Sequence, residues 1–132
     1  MDTYTKMLRA KGAEWIQEGH EWKVGDRTDK GIVIECYTTE LLIPMCKVST
    51  DVYGDTSKRV KQFNLLWLPS IEDLLRMVDF DSISPRIWVS ENIHTVYVGG
   101  DRTFNGNNWQ ECFLQLIQHE LKDLKWSGEE WI

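Results

Sequence analysis

The side chains best able to do acid–base, nucleophilic or metal chemistry are histidines and cysteines, and this chain has three of each. A zinc centre needs such ligands at motif spacing, commonly with a CxxC pair, and that pattern is absent from the sequence. The odd number of cysteines also argues against a disulfide framework. We therefore expect reduced, buried thiols at Cys36, Cys46 and Cys112. We expect neither a metal nor another cofactor at these cysteines or at the scattered histidines His20, His94 and His119.

Two local groupings were considered as reactive sites, and both fall short. Glu14, Glu18 and His20 are near enough in sequence to meet one ion, but carboxylates beside a histidine more often form a solvated surface. Cys112 and His119 are seven residues apart. That separation is about two turns of a helix, which is too far for a shared ion or a nucleophile–base pair. The sequence therefore predicts a protein that acts by binding and is not an enzyme.

Tryptophans are the more informative residues, since seven of them are spread over 132 positions. Tryptophan buries a large area in cores and is a frequent anchor at protein interfaces. Three lie in apolar contexts and are expected in the core: Trp15, Trp67 and Trp109. Three others stand beside charged or turn residues and are expected to be partly exposed: Trp22, Trp126 and Trp131.

The negative charge is concentrated in the second half of the chain. Residues 1–66 carry ten basic and ten acidic side chains, whereas residues 67–132 carry five and eleven, which accounts for the net charge of −6. This balance argues against direct nucleic-acid binding, because phosphate contacts depend on lysine and arginine. It favours either an ordinary solvated face or a surface that meets a basic partner. The predicted partner-binding residues are Trp126, Trp131, Glu120, Asp123, Glu129 and Glu130.

Hydrophobic periodicity predicts an α+β fold in a single globular domain, residues 1–132. A long helix follows Asn108, which has capping-box spacing to Glu111, and its apolar stripe begins at Trp109. Shorter helices are predicted over 3–18, where Gly12 is a weak point, and from Ser70 to about 79. The long C-terminal helix is expected to cover one face of a small, mostly antiparallel sheet.

Runs of β-branched and aromatic residues predict the strands of that sheet over 31–37, 86–89 and 94–98, with a hairpin turn over 90–93. A further strand over 41–43 would end at Pro44. The polar segment 49–62 is predicted to be a long loop. Apolar runs are far shorter than a membrane helix requires, and the N-terminus lacks the apolar stretch of a secretory signal, so a cytoplasmic protein is expected.

Three segments, read together, resemble a loose group of small phage and prophage proteins from Gram-positive bacteria. They are residues 19–26 (GHEWKVGD), residues 67–78 (WLPSIEDLLRMV), and the stretch from Trp109 to the terminal Gly128-Glu129-Glu130-Trp131. The resemblance implies a phage-encoded protein of the host cytoplasm. It transfers no catalytic residue, and the middle of the chain, residues 38–64, takes no part in it.

The resulting hypothesis is a phage accessory protein that binds a bacterial host protein with a basic surface, for example as an anti-CRISPR or other anti-defence inhibitor. Two alternatives stay open. One is a binder of a small nucleotide signal, for which the phosphate-binding cations would be Arg86, Arg102 and the basic run Lys58–Lys61. The other is a structural phage protein. The tryptophan content is also compatible with a homodimer.

Overall fold

The computed structural model describes residues 2–50, 56–79, 83–99 and 102–132. Its contacts divide the chain into two compact units, here called the terminal unit (Met1–Ala13 and Pro69–Ile132) and the central unit (Glu14–Leu68). Helices and antiparallel sheets occur together, and the C-terminal helix packs on a sheet, so the α+β prediction is confirmed. The prediction of a single domain stays a prediction.

The helices and strands are named here in chain order. The helices are α1 (Thr3–Arg9), α2 (Glu14–Gln17), α3 (Ile71–Leu75) and α4 (Trp109–Lys122), with a 3₁₀ turn at Gln62–Asn64. The strands are β1 (Arg27–Thr28), β2 (Gly31–Thr38), β3 (Pro44–Ser49), β4 (Ser57–Lys61), β5 (Arg86–Ser90), β6 (Ile93–Tyr97) and β7 (Thr103–Gly106).

The terminal unit is built around α4, which packs on β6 and β7 and also contacts α1 and α3. The helix begins where the Asn108 side chain accepts the Glu111 N–H at 3.0 Å, as its spacing predicted. Leu116 and Ile117 are fully buried, whereas Leu121, in the last turn of α4, is 47% exposed. The middle of α4 is buried on several sides because helices and sheet both cover it, and its last turn extends past them.

Two long-range hydrogen bonds fasten the N-terminal segment within this unit. The Gln118 amide is fully buried and donates to the Gly12 carbonyl at 2.9 Å. The Tyr4 hydroxyl donates to the Pro69 carbonyl at 2.8 Å, and burial raises the pKa of this tyrosine above its ordinary value. Each bond satisfies a polar group that would otherwise be left unpaired in the core.

Asp2 caps α1, because its Oδ1 atom accepts the Thr5 N–H at 2.7 Å. The Thr5 hydrogen bonds lower the pKa of Asp2 below its ordinary 3.8, so its stabilisation is present above that value and is lost as the pH falls through the lowered pKa. We expect Asp2→Ala to reduce the free energy of unfolding by about 1 kcal/mol at neutral pH. Urea titrations at about pH 7 and about pH 2 measure this, and equal losses at both would contradict it.

The central unit is a four-stranded antiparallel sheet in the order β1-β2-β3-β4. Its core is formed by Val33, Cys46, Val48 and Leu65, against which the half-buried Trp22 packs. Trp67 is buried as predicted, and its backbone is held by Gln17, which accepts its N–H at 2.7 Å and donates to its carbonyl at 2.9 Å. Trp67 lies in the segment that follows the sheet, and its contacts with Gln17 close one end of the central unit.

Two strand assignments differ from prediction. Residues 41–43 form no strand but the turn between β2 and β3, in which the Leu42 N–H donates to the Thr39 carbonyl at 2.9 Å. Leu41 and Leu42 are 83% and 81% exposed, so their hydrophobicity does not mark a buried strand. The predicted loop 49–62 contains β4, whose Val60 pairs with Cys46. β4 is a polar edge strand, which explains why its composition resembles a loop; residues 51–55 lie outside the described residues.

The first predicted helix is also divided. α1 ends where Ala10 adopts an extended conformation, and α2 begins only at Glu14. Gly12 lies between them with a φ of +105°, a conformation that ordinary side chains rarely adopt. The glycine that weakened the helical pattern is therefore the point at which the chain changes direction.

Candidate functional site

Trp131, expected to be a partly exposed anchor, is instead buried within the terminal unit at 7% exposure. Its indole N–H donates to the Met7 carbonyl at 2.9 Å. The last residues fold back as a narrow hairpin in which Lys125 and Ile132 exchange backbone hydrogen bonds of 2.9 Å. The hairpin places Trp131 against Gly12, where an added Cβ would lie 3.2 Å from the Trp131 Cβ. The predicted exposure is therefore wrong, because the hairpin returns this side chain to the core.

The predicted acidic surface is partly neutralised by cations of the same unit. Glu120 lies 2.7 Å from an Arg102 guanidinium nitrogen, and Glu129 lies 2.7 Å from the Lys6 ammonium. Asp123 ends α4 in a left-handed conformation (φ +53°), and both it and Glu130 are exposed. Ion pairs of this kind reduce the negative potential that a basic partner would meet.

Partner binding by these residues stays a prediction, and the pairing changes how it is best tested. Substitution of lysine at Glu120, Asp123, Glu129 and Glu130 together would break the ion pairs within the chain as well as any contact with a partner. Substitution of Asp123 and Glu130 alone alters the charge and leaves both ion pairs in place.

Trp126 is half-buried and forms one wall of a cleft of about 160 Å³. Arg102 and Lys125 bring positive charge to the cleft, which Gln115 and His119 also line. Arg102 is fixed in place, because it donates to Glu120 at 2.7 Å and to the Val98 carbonyl at 3.1 Å. The structure therefore places two of the residues singled out from sequence, Trp126 and Arg102, at one small polar cleft, and a third, Glu120, pairs with Arg102.

Within the part of the terminal unit that the structure describes, β5 is the most exposed apolar element. All five of its residues are exposed, and Ile87, Trp88 and Val89 are 55%, 47% and 52% accessible. In the sheet order β5-β6-β7, β5 is an edge strand. Helix α4 packs on β6 and β7, and among the described elements β5 has extensive contact with β6 alone. Among the described residues, none covers either face of β5 extensively or pairs with its outer edge.

The turn that follows β5 determines which backbone groups point outward. Glu91 and Asn92 form a two-residue loop and have φ values of +51° and +69°, which is the geometry of a type I′ hairpin. The flanking pair Ser90–Ile93 is then hydrogen-bonded, and such pairs alternate along the ladder. It follows that the backbone N–H and C=O groups of Ser90 and Trp88 form hydrogen bonds with β6. Those of Ile87 and Val89 point to the free edge.

This edge was predicted as a strand but not as a binding site, although the sequence holds the relevant signal. A strand with one buried face alternates apolar and polar residues. The run Ile87-Trp88-Val89 does not alternate, so it places apolar side chains on both faces. Such a run is expected either in a strand buried on both sides or in one completed by another chain.

His20 belongs to a polar cluster in the central unit. Its Nε2 lies 2.9 Å from an Asp26 carboxylate oxygen, and its ring stacks on Trp67 with centroids 3.6 Å apart. Asp26 also accepts the Lys23 N–H at 2.9 Å, which closes the turn between them. The two side chains are only 10% and 3% exposed, so the pair stabilises the turn and offers little access to a substrate.

The structure does not bring Glu14, Glu18 and His20 together as metal ligands. Within the residues that the structure describes, no three histidine, cysteine or carboxylate side chains cluster so as to hold an ion. Glu14 and Glu18 are exposed, whereas His20 is turned toward Asp26 and Trp67.

Cys36 and Cys46 face each other across β2 and β3, with their Sγ atoms 3.7 Å apart. We expect diamide, a two-electron oxidant, to join them: a sulfur–sulfur bond forms and two hydrogens pass to the diamide. Burial raises the pKa of both Cys46 and Cys112 to about 12, so the half-buried Cys36 is the thiol that meets the oxidant first. Cys112 should not react, because its fully buried thiol donates to the His94 carbonyl at 3.1 Å. Peptide mapping without reduction checks the linkage, and a failure to find the 36–46 bond would contradict it.

None of the described helices has the length and apolar character to cross a membrane. No protein-family model, curated protein or solved structure matches the chain. The function is therefore argued from the geometry of the chain itself.

Proposed function

We propose that this protein acts by binding another protein, and that strand β5 is where the second protein docks. The observation that carries the proposal is the exposure of all five β5 residues, three of which are large and apolar. Isolated exposed apolar side chains are ordinary on protein surfaces, whereas a contiguous patch commonly marks an interaction site.

The backbone of β5 supports the same conclusion. An uncovered edge strand is a template for pairing, and proteins usually protect such edges with charges, prolines, bulges or a covering element. Within β5 the sole charged residue is Arg86 at its first position, and the strand pairs with β6 without a register shift. A partner that adds a strand here would gain main-chain hydrogen bonds from Ile87 and Val89 and apolar contacts with Trp88.

Substitution of Trp88 tests this function. We expect Trp88→Lys to weaken capture of the partner about 30-fold, since a buried aromatic anchor contributes about 2 kcal/mol or more to an interface. The tagged protein is used to capture proteins from nuclease-treated bacterial lysate, and bound proteins are quantified by mass spectrometry. Leu41→Lys is the matched control, because it also replaces an exposed apolar side chain with lysine. Leu41 is 83% exposed and lies in the β2–β3 turn of the central unit, away from β5 in the sequence.

Both substitutions are at exposed positions, and both variants are expected to stay folded. Partner capture that is equal for wild type and Trp88→Lys would contradict the proposal. Loss in Leu41→Lys as well as in Trp88→Lys would also contradict it, because a general effect of added lysine would then explain both.

The nature of the partner is proposed from the resemblance to phage proteins. On that basis the chain is an accessory protein of the host cytoplasm, and its target is a host protein with a basic surface, such as a component of a defence system. The exposed Asp123 and Glu130 would contribute to recognition of that surface. Lysates from cells that carry candidate defence systems are therefore the samples to use.

A second candidate function, binding of a small nucleotide, is favoured by the cleft beside Trp126. The indole offers a stacking surface, and Lys125 offers charge for a phosphate, beside an Arg102 that is already paired with Glu120. AMP should then raise the melting temperature by several degrees in wild type and not in Trp126→Ala. Inorganic phosphate alone should have a smaller effect, because it lacks the base; no shift with AMP would dismiss this candidate.

A further inference from the structure

We infer that the chain which docks on β5 is a second copy of this protein, paired antiparallel through Trp88. The inference rests on the proposed function only for the location of the interface: a second copy and a host protein would compete for the same strand edge. A symmetric dimer with a two-fold axis uses the same patch on both copies and pairs identical strands in opposite directions. Such pairing permits only certain registers of the two strands.

One register satisfies all the outward-pointing groups of β5. With Trp88 opposite Trp88, Ile87 of one copy faces Val89 of the second copy, and these are the residues whose N–H and C=O groups reach the free edge. Centring on Ile87 instead would set Val89 against Pro85, which has no N–H to donate. Centring on Val89 would set Ile87 against Glu91, which lies in the turn with a φ of +51°.

The same register places the tryptophans favourably. Because Ile87 and Val89 form the hydrogen-bonded pairs, Trp88 pairs with its copy at a non-hydrogen-bonded position, where opposed side chains lie nearest each other. Aromatic residues opposed across antiparallel strands stabilise the pairing. Each indole is 47% exposed in the single chain, so there is surface to bury when the two meet.

Charge complementarity favours the same arrangement. Arg86 of one copy is set opposite Ser90 of the second copy and is therefore next to Glu91 of that copy. Arg86 and Glu91 are both exposed in the single chain. The two symmetric contacts offset part of the repulsion between copies that each carry a net charge of −6.

Sedimentation equilibrium of the intact chain tests the dimer, with exchange of the two charges as the specific probe. We expect a concentration-dependent mass that rises from 15.5 kDa to twice that value. Arg86→Glu and Glu91→Arg should each weaken self-association about 10-fold, since each replaces two attractive contacts with repulsive ones. A one-to-one mixture of the two variants should restore it, because every contact between unlike chains is again between opposite charges.

Val89→Pro is the backbone probe, with Val89→Thr as its matched control. Proline removes an N–H that points to the free edge and is tolerated on an edge strand, whereas threonine keeps that N–H and the β-branched shape. We expect the proline variant to be monomeric at concentrations where wild type and the threonine variant are dimeric. Circular dichroism of both variants verifies that the fold is kept.

The outcomes separate this inference from the proposed function. A chain that stays monomeric, yet loses its captured partner in Trp88→Lys, would overturn the self-pairing and leave the function standing. A dimer that the charge and proline variants leave unchanged would overturn the self-pairing too, because the copies would meet elsewhere. A dimer that these variants do dissociate, with partner capture unaffected by Trp88→Lys, would support the self-pairing and overturn docking of another protein on β5.

Discussion

Replacement of Trp131 with alanine is expected to lower the free energy of unfolding by about 3–5 kcal/mol, the range for removing a large aromatic side chain from a core. Trp131 is 7% exposed, lies against Gly12, and donates its indole N–H to the Met7 carbonyl at 2.9 Å. Its loss would leave a cavity and an unpaired carbonyl in the terminal unit. Urea unfolding followed by circular dichroism measures the change.

Two further variants separate the contribution of the buried ring from that of the indole hydrogen bond and from that of the neighbouring Trp126. Trp131→Phe keeps much of the buried area but removes the N–H, so we expect a smaller loss, about 1–3 kcal/mol. Trp126→Ala should also lose less, since Trp126 is only half-buried, although its ring centroid is 5.0 Å from that of Trp131. A Trp131→Ala protein as stable as wild type would mean that the C-terminal hairpin does not dock in solution.

Alanine at Gly31 is expected to destabilise the central unit by about 2–5 kcal/mol, from a strained backbone together with an overpacked contact. Gly31 begins β2 with a φ of +135°, and a Cβ there would lie 2.2 Å from the Ser49 carbonyl oxygen. That oxygen belongs to the backbone of β3, so it cannot move aside without disturbing the β2–β3 pairing. Thermal and urea unfolding of the purified variant measure the loss.

Gly25→Ala is the matched control for this substitution. Gly25 also has a positive φ, +98°, but an added Cβ would meet no atom within 4 Å. We expect it to show only the backbone strain, about 1–2 kcal/mol. Equal losses at the two positions would refute the steric contact with Ser49.

The elements that sequence predicted correctly are those in which local and long-range signals agree. α4 combines an apolar stripe with an N-cap at Asn108. α3 combines a similar stripe with a capping box of Ser70 and Asp73, so its start is as predicted, although it ends at Leu75 and not near residue 79. The hairpin between β5 and β6 was foreseen because two β-branched segments flank a short polar turn. In each case a few neighbouring residues suffice to specify the conformation.

The errors fall where tertiary contacts decide the outcome. β4 is polar because its position at a sheet edge leaves most of it in solvent, so its composition could not distinguish it from a loop. Leu41 and Leu42 are apolar yet exposed in a turn. Trp131 sits among charged and turn residues, and its burial depends on Gly12 and Met7, which are more than a hundred positions away in the chain.

The candidate site was the least predictable part for a related reason. The acidic residues were chosen for their charge, but the Arg102 and Lys6 contacts that neutralise Glu120 and Glu129 are not visible in a linear sequence. The β5 edge was visible as an unbroken apolar run. Whether that run is covered by α4 depends on how far the helix extends across the sheet, which periodicity does not report.

The most direct measurement of the central claim is hydrogen exchange at the backbone amides of β5, followed by NMR in the dilute single chain and in the assembled state. The geometry places the Ile87 and Val89 N–H groups at the free edge and that of Trp88 on the β6 side. We expect the Ile87 and Val89 amides to exchange rapidly in the single chain and to become at least about 10-fold slower on assembly, while the Trp88 amide is protected in both. An assembly in which Ile87 and Val89 exchange as fast as before would contradict docking at this edge.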